Sequence, residues 1–180
     1  DISCVEKVFF TSSKKNEPIE SVFHFAGLKS VFESIKYPMK YWDNNVLGTI
    51  NLLKVMQKNN CRNLIFSSSA TIYKTANKQK IKECSEVYPN NTYGVTKSTI
   101  EEILKSLFKS EPNEWRIATL RYFNPIGAHK SGLIGEEPIG VPNNIFPVLL
   151  KVANRSQKTF KIYGNDSVSY THLRAHETRI

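Results

Sequence analysis

The chain has 180 residues, with 25 Lys and Arg against 16 Asp and Glu, for a formal net charge of +9. Hydrophobic residues make up 40% and charged residues 23%, enough apolar material for a packed core, which excludes a disordered chain. No apolar run approaches the ~20 residues of a membrane span, and the opening DISCVEKVFF lacks the basic and apolar regions of a signal peptide.

In chain order, Ser21–Ala26 (SVFHFA) reads as a compact strand ending at Gly27. Lys40–Asn59 follows as a helix, with Trp42, Val46, Ile50 and Leu53 at helical spacing. Asn63–Ser69 (NLIFSSS) is the second strand. A helix from Tyr93 to Ser110 carries an apolar stripe of Ile100, Ile103, Leu104 and Leu107 and ends before Pro112. Trp115–Tyr122 is the third strand; residues 123–144 hold three prolines and four glycines without period, and a loop of that length is usually functional. A helix near Ile145–Asn154 and a short strand at Thr159–Tyr163 complete the list. Strands alternating with helices predict an α/β fold, a Rossmann-like, doubly wound parallel sheet covered on both faces, with ligands at the carboxyl ends of its strands.

The remaining signals are weaker. The eight glycines form neither G-x-G-x-x-G nor a Walker loop. The lysines are scattered, the densest group being Lys78, Lys80 and Lys82, so the charge predicts a solvated loop and no nucleic-acid partner. Cys4, Cys61 and Cys84 fit neither a zinc framework nor a disulfide scaffold and read as reduced thiols of a cytoplasmic protein. His172 and His176 stand four apart without a recognisable third ligand, so no metal is expected.

The chemistry-bearing constellation is Tyr93 and Lys97, a Y-x-x-x-K pair on one helical face. An ammonium beside a phenol favours the phenolate, and a tyrosine so depressed can act as a general base. Alone, the pair reads more readily as two exposed helix residues. Ser67, Ser68 and Ser69 at the preceding strand end supply a hydroxyl for the same substrate oxygen. A Ser, Tyr and Lys group beside a parallel sheet suits hydride transfer between a secondary alcohol and a nicotinamide.

The runs FHFAGLKSV, NNVLGTINLL, IFSSSATIY, YGVTK, LRYFNPIGAHKSGLIGEEPIGVPNN and IYGND, ordered through Asp166, resemble the UDP-galactose 4-epimerases of the extended short-chain dehydrogenase/reductase family. The resemblance implies a tightly held NAD, transient oxidation of a UDP-sugar at C4, and interconversion of UDP-glucose and UDP-galactose. It further implies Tyr93 as base, Lys97 as its tuning partner on the nicotinamide ribose, and Ser69 on the O4 hydroxyl, with Ala70 and Thr71 beside it. It assigns NAD contacts to Asp1, Ile2, Phe25, Ala26, Gly27, Leu28, Lys29, Asn44, Tyr122 and Phe123. UDP-sugar contacts fall on Lys29, Asn124, Asn144, Lys161, Ile162 and Tyr163. It also implies a homodimer built on the helices Lys40–Asn59 and Tyr93–Ser110.

Residues 1–122 then read as part of an NAD-binding domain, 123–166 as the start of a substrate-binding region, and 167–180 as a tail foreign to the family. The chain opens without Met, and the family's first strand and glycine fingerprint are expected upstream, so the 180 residues alone are expected to be inactive. Lys74 and Phe32 stand where the family usually has Gly, a change that could alter a turn. Related dehydratases place an acid pair where Ile72 and Tyr73 stand, which favours epimerisation. A nucleotide-binding regulator without turnover is the alternative from another class.

Overall fold

The computed structural model describes residues 1–74, 80–125, 127, 129–135 and 145–160. The chain divides into two compact units, Asp1–Phe123 and Asn124–Ile180.

The first unit opens with helix α1, Ile2–Lys14, where the sequence reading placed no element. Ile2, Val5 and Phe9 recur at helical spacing and face the core, and the Asp1 carboxylate caps the first turn by accepting from the Ser3 N–H at 3.0 Å. Strand β1, Ser21–His24, is two residues shorter than the reading. Two short helices follow, α2 (Val31–Lys36) and α3 (Pro38–Tyr41), then a π-helical turn, Trp42–Leu47, that runs into α4, Gly48–Lys58. Strand β2 spans Asn63–Ser69 as read, and a 3₁₀ turn, Ala70–Ile72, closes it. Helix α5 spans Thr92–Ser110, and strand β3 spans Arg116–Tyr122.

The three strands are parallel in the order β1-β2-β3, with Val22 opposite Leu64, His24 opposite Phe66 and Ser68 opposite Arg121. Leu53, Val55 and Met56 of α4 and Ile100 and Leu104 of α5 pack with Leu64 and Phe66 of β2, all below 7% exposed. The opposite face is open among the described residues: Phe23 is 64% exposed and Phe25 57%. Two right-handed crossovers that advance in one direction lay their helices on the same side, and cover of the second face of a doubly wound sheet belongs to strands beyond a reversal of order.

Lys74 and Phe32 leave the backbone unstrained, since the non-glycine residues with positive φ among those described are Asn16, Asn60 and Arg155. Lys74 pairs with Glu86 across the Tyr73–Val87 bridge, and Phe32 is 80% exposed on α2. In the second unit, α6 spans Ile145–Ala153, one residue short of the reading. Thr159 and Phe160 are irregular, and the remainder of the fourth strand lies outside the described residues.

Candidate active site

The carboxyl ends of β1 and β2 and the first turns of α5 meet around a small group of polar side chains. Asn91 caps α5 by accepting from the Gly94 N–H at 2.8 Å, so Tyr93 and Lys97 stand one turn apart at the start of a long helix. Gly94 lets that start approach the 3₁₀ turn: a Cβ there would lie 2.6 Å from the Thr71 carbonyl oxygen and 2.9 Å from Pro89 Cβ. The Tyr93 N–H donates to Ser34 Oγ at 3.1 Å, which joins α5 to α2. Tyr41 meets the Tyr93 ring edge-on, with centroids 6.5 Å apart, and its own hydroxyl donates to Glu33 at 3.0 Å.

Ser69, 8% exposed, sits where β2 turns, and its Oγ accepts from Thr71 N–H and lies 3.0 Å from Thr71 Oγ1. Burial pushes the Tyr93 phenol above its ordinary pKa, while a hydrogen bond with Ser69 works in the opposite direction. This corrects the expectation of a phenol depressed by Lys97. The Lys97 ammonium donates to the Ser67 carbonyl at 2.7 Å and lies 5.9 Å from the centroid of the Tyr93 ring, so burial outweighs it. Burial also lowers Lys97 itself to about 8.

The segment after β1 is held from α4's side. Leu28 N–H donates to Asn45 Oδ1 at 2.8 Å, and Asn45 Nδ2 donates to the Leu28 carbonyl at 3.0 Å. The π-helical turn places Asn45 inward, 2% exposed, whereas Asn44 is exposed. The sequence reading named Asn44 and not Asn45; the N-N run was the available signal, and the turn faces the second of its two amides inward here. Below the segment, Thr49 Oγ1 donates to the Asn45 carbonyl at 2.6 Å, so its 2.8 Å contact with His24 Nε2 requires the proton on that nitrogen. Burial, and then the Lys97 charge, lower His24 to about 4, so the ring is neutral.

The remaining candidates scatter. Phe25, Ala26, Gly27 and Lys29 are exposed, and Leu28 is half-buried. The Phe25 and Tyr122 rings lie 6.2 Å apart, which brings the ends of β1 and β3 together, and Phe123 is exposed beyond them. Asp1 and Ile2 serve α1, and no contact among the described residues joins them to Tyr93. Ala70 and Thr71 are half-buried in the 3₁₀ turn, and Asn124 is exposed at the start of the second unit. Asn144, Lys161, Ile162 and Tyr163 lie outside the described residues, as do Lys78, His172 and His176.

Two observations fit a nicotinamide dinucleotide. Lys97 has three N–H donors and gives one to Ser67, which leaves two for ribose hydroxyls. At Gly27 a Cβ would stand 3.2 Å from Asn45 Oδ1 and 3.8 Å from Lys97 Nζ, so bare backbone keeps the ammonium approachable.

A parallel α/β sheet with Ser, Tyr and Lys at its carboxyl end suits nucleotide-dependent redox chemistry, and the profile of the NAD dependent epimerase/dehydratase family matches residues 5–176. The chain belongs to that family. It is 48% identical over 162 residues to UDP-glucose 4-epimerase of Pisum sativum, a match covering 90% of this chain and 45% of that protein. UDP-glucose 4-epimerase 2 of Oryza sativa subsp. japonica is 45% identical over 166 residues, covering 92% of this chain and 39% of that one. UDP-glucose 4-epimerase from Bifidobacterium longum, solved in complex with NAD+ and UDP, superposes with a TM-score of 0.83 at 44% identity, over 94% of this chain and 49% of that one. The chain thus spans less than half the length of these relatives.

Proposed function

We propose that the full-length protein carrying this chain is a cytoplasmic UDP-glucose 4-epimerase that interconverts UDP-galactose and UDP-glucose through a bound NAD. The observation that carries the reading is the meeting of Ser69, Tyr93 and Lys97 at the carboxyl end of the sheet. The names of the relatives point the same way.

A bound NAD would supply the hydride acceptor for oxidation at sugar C4 and the donor for its return to the opposite face. Tyr93 takes the O4 proton as the hydride leaves and gives it back on return. Ser69 donates a hydrogen bond to the same oxygen. Lys97 holds the ribose with its two free donors, and its charge favours the phenolate at the moment of transfer. Lys29, exposed after β1, is assigned to the phosphates, and Asp1 and Ile2 to the adenine end. Phe25, Ala26, Gly27, Leu28, Asn44, Tyr122 and Phe123 are assigned to the cofactor. Ala70, Thr71, Asn124, Asn144 and Lys161–Tyr163 are assigned to the UDP-sugar. Residues 1–122 are assigned to the NAD-binding domain and 123–166 to the substrate-binding region.

Elimination of water is disfavoured because Ile72, fully buried, and Tyr73 follow Thr71 where a dehydratase needs an acid pair. A homodimer built on α4 and α5 is part of the same reading; Ile50, Lys54, Gln57, Ile103 and Leu107 line a shallow surface groove between these helices. Incubating the full-length protein with NAD and UDP-galactose tests the reading. UDP-glucose is the expected product; a 4-keto-6-deoxy sugar, or no product, overturns it.

A further inference from the structure

Tyr93, Lys97 and Glu101 recur every fourth residue on α5, and all three are buried. The first two belong to the site; Glu101, 4% exposed, points into the sheet beneath it. Its Oε1 accepts from Ser68 Oγ at 2.6 Å and from Arg121 Nε at 3.0 Å, and its Oε2 accepts from Arg121 Nη2 at 2.7 Å. Arg121 stands opposite Ser68 in the β2–β3 register, so one carboxylate spans both strands. The other guanidinium nitrogen, Nη1, donates at 2.9 Å to the Tyr73 hydroxyl and to the Glu83 carbonyl. The fork therefore joins α5, β2, β3 and the segment after the 3₁₀ turn.

Ser68 is the residue before Ser69, and Glu101 lies two turns after Tyr93. We propose that Glu101 and Arg121 are positioning residues that fix the register of α5 against β2, so that the Tyr93 phenol meets the Ser69 hydroxyl; this rests on the epimerase reading above. A buried ion pair adds little net stability, because desolvation offsets the attraction, whereas its bidentate geometry admits one arrangement. Lys97 also ties α5 to β2, but through a single bond from a flexible stem to the Ser67 carbonyl, whereas Glu101 accepts three directed bonds from β2 and β3; Ile100 and Leu104 are apolar and slide. A displacement of about 1 Å at the base is enough to cost on the order of a hundredfold in rate.

The test compares Glu101→Gln and Arg121→Lys in the full-length protein, with Glu102→Gln as control, since the Glu102 side chain is exposed and, among the described residues, pairs with Lys105 on its own helix. Both variants lose charge or fork geometry while keeping size. The expected result is a kcat lower by at least about tenfold, with KM for the UDP-sugar and NAD retention within about twofold of wild type. The phenol titration at 295 nm, taken as a difference against matched Tyr93→Phe proteins, moves to higher pH, because the Ser69 hydrogen bond opposes the rise caused by burial. The titratable groups facing that phenol, Lys97 on α5 and Tyr41 from α3, are unchanged in both variants. Wild-type kcat with an unmoved titration overturns the proposal, as does a kcat loss matched by lost folded protein and an unmoved titration. If Glu101→Gln is insoluble, Arg121→Lys decides alone. A wild-type protein without epimerase activity whose variants still shift the titration overturns the functional reading and keeps the clamp.

Discussion

Asn45 and Leu28 share a two-way hydrogen bond, with the amide accepting from the Leu28 N–H at 2.8 Å and donating to its carbonyl at 3.0 Å. A side chain on one crossover thus takes the part of a neighbouring strand for the segment after β1. Asn45→Ala leaves two backbone groups without these partners, at about 1–3 kcal/mol each if they stay dry. The expected outcome is NAD affinity weakened by about tenfold or more, measured by fluorescence titration of the full-length protein. Unchanged affinity would detach this segment from the cofactor.

Gly94 gives a prediction of the opposite kind, in which an added atom does the damage. With the Thr71 carbonyl oxygen only 2.6 Å from the position of an added Cβ, Gly94→Ala must push α5 from the 3₁₀ turn or distort both. Overpacking of this sort costs about 1–3 kcal/mol. Thermal unfolding should register a lower midpoint, and turnover should fall further than stability, because Tyr93 is the adjacent residue.

His24 predicts an acid-labile contribution. Its folded pKa of about 4 lies below the ordinary 6.5, so between these values the unfolded chain binds more protons and stability rises with pH. The contribution is complete above pH 6.5 and is lost on acidification through pH 4, amounting to about 3 kcal/mol. His24→Gln keeps a donor toward Thr49 without titrating. Its stability should therefore change less than that of wild type between pH 7 and pH 4, and equal acid sensitivity in urea melts would refute the assignment.

The proposed homodimer predicts association through α4 and α5, whose shared groove includes Leu107. Leu107→Glu places a charge in it and should shift the full-length protein from dimer to monomer in sedimentation velocity. A dimer that survives this change would place the interface elsewhere.

The long periodic elements were legible because their burial follows a single period. The stripe Ile100, Ile103, Leu104 and Leu107 identified α5, and its members are core or packed against it. Helix α1 escaped because its apolar residues lie beside Lys7, Lys14 and Lys15, although Ile2, Val5 and Phe9 carried the spacing. The π-helical turn is invisible to any 3.6-residue template, and with it the inward placement of Asn45. The Tyr93–Lys97 pair became legible only with Ser67–Ser69 at the preceding strand end, and the direction of the Tyr93 shift was not legible, since Tyr41 and α2, which pack against Tyr93, are distant in sequence. Glu101 and Arg121 stand 20 residues apart in sequence, and only the fold faces them toward each other.

Tyr93 carries the central claim. In the full-length protein, UDP-galactose deuterated at C4 should yield UDP-glucose that keeps the label at C4, because hydride leaves and returns without exchanging with water. Tyr93→Phe should lower the rate by about 10²–10⁴-fold while the protein still retains NAD. Loss of the label to solvent, or a Tyr93→Phe protein with wild-type turnover, would contradict the account.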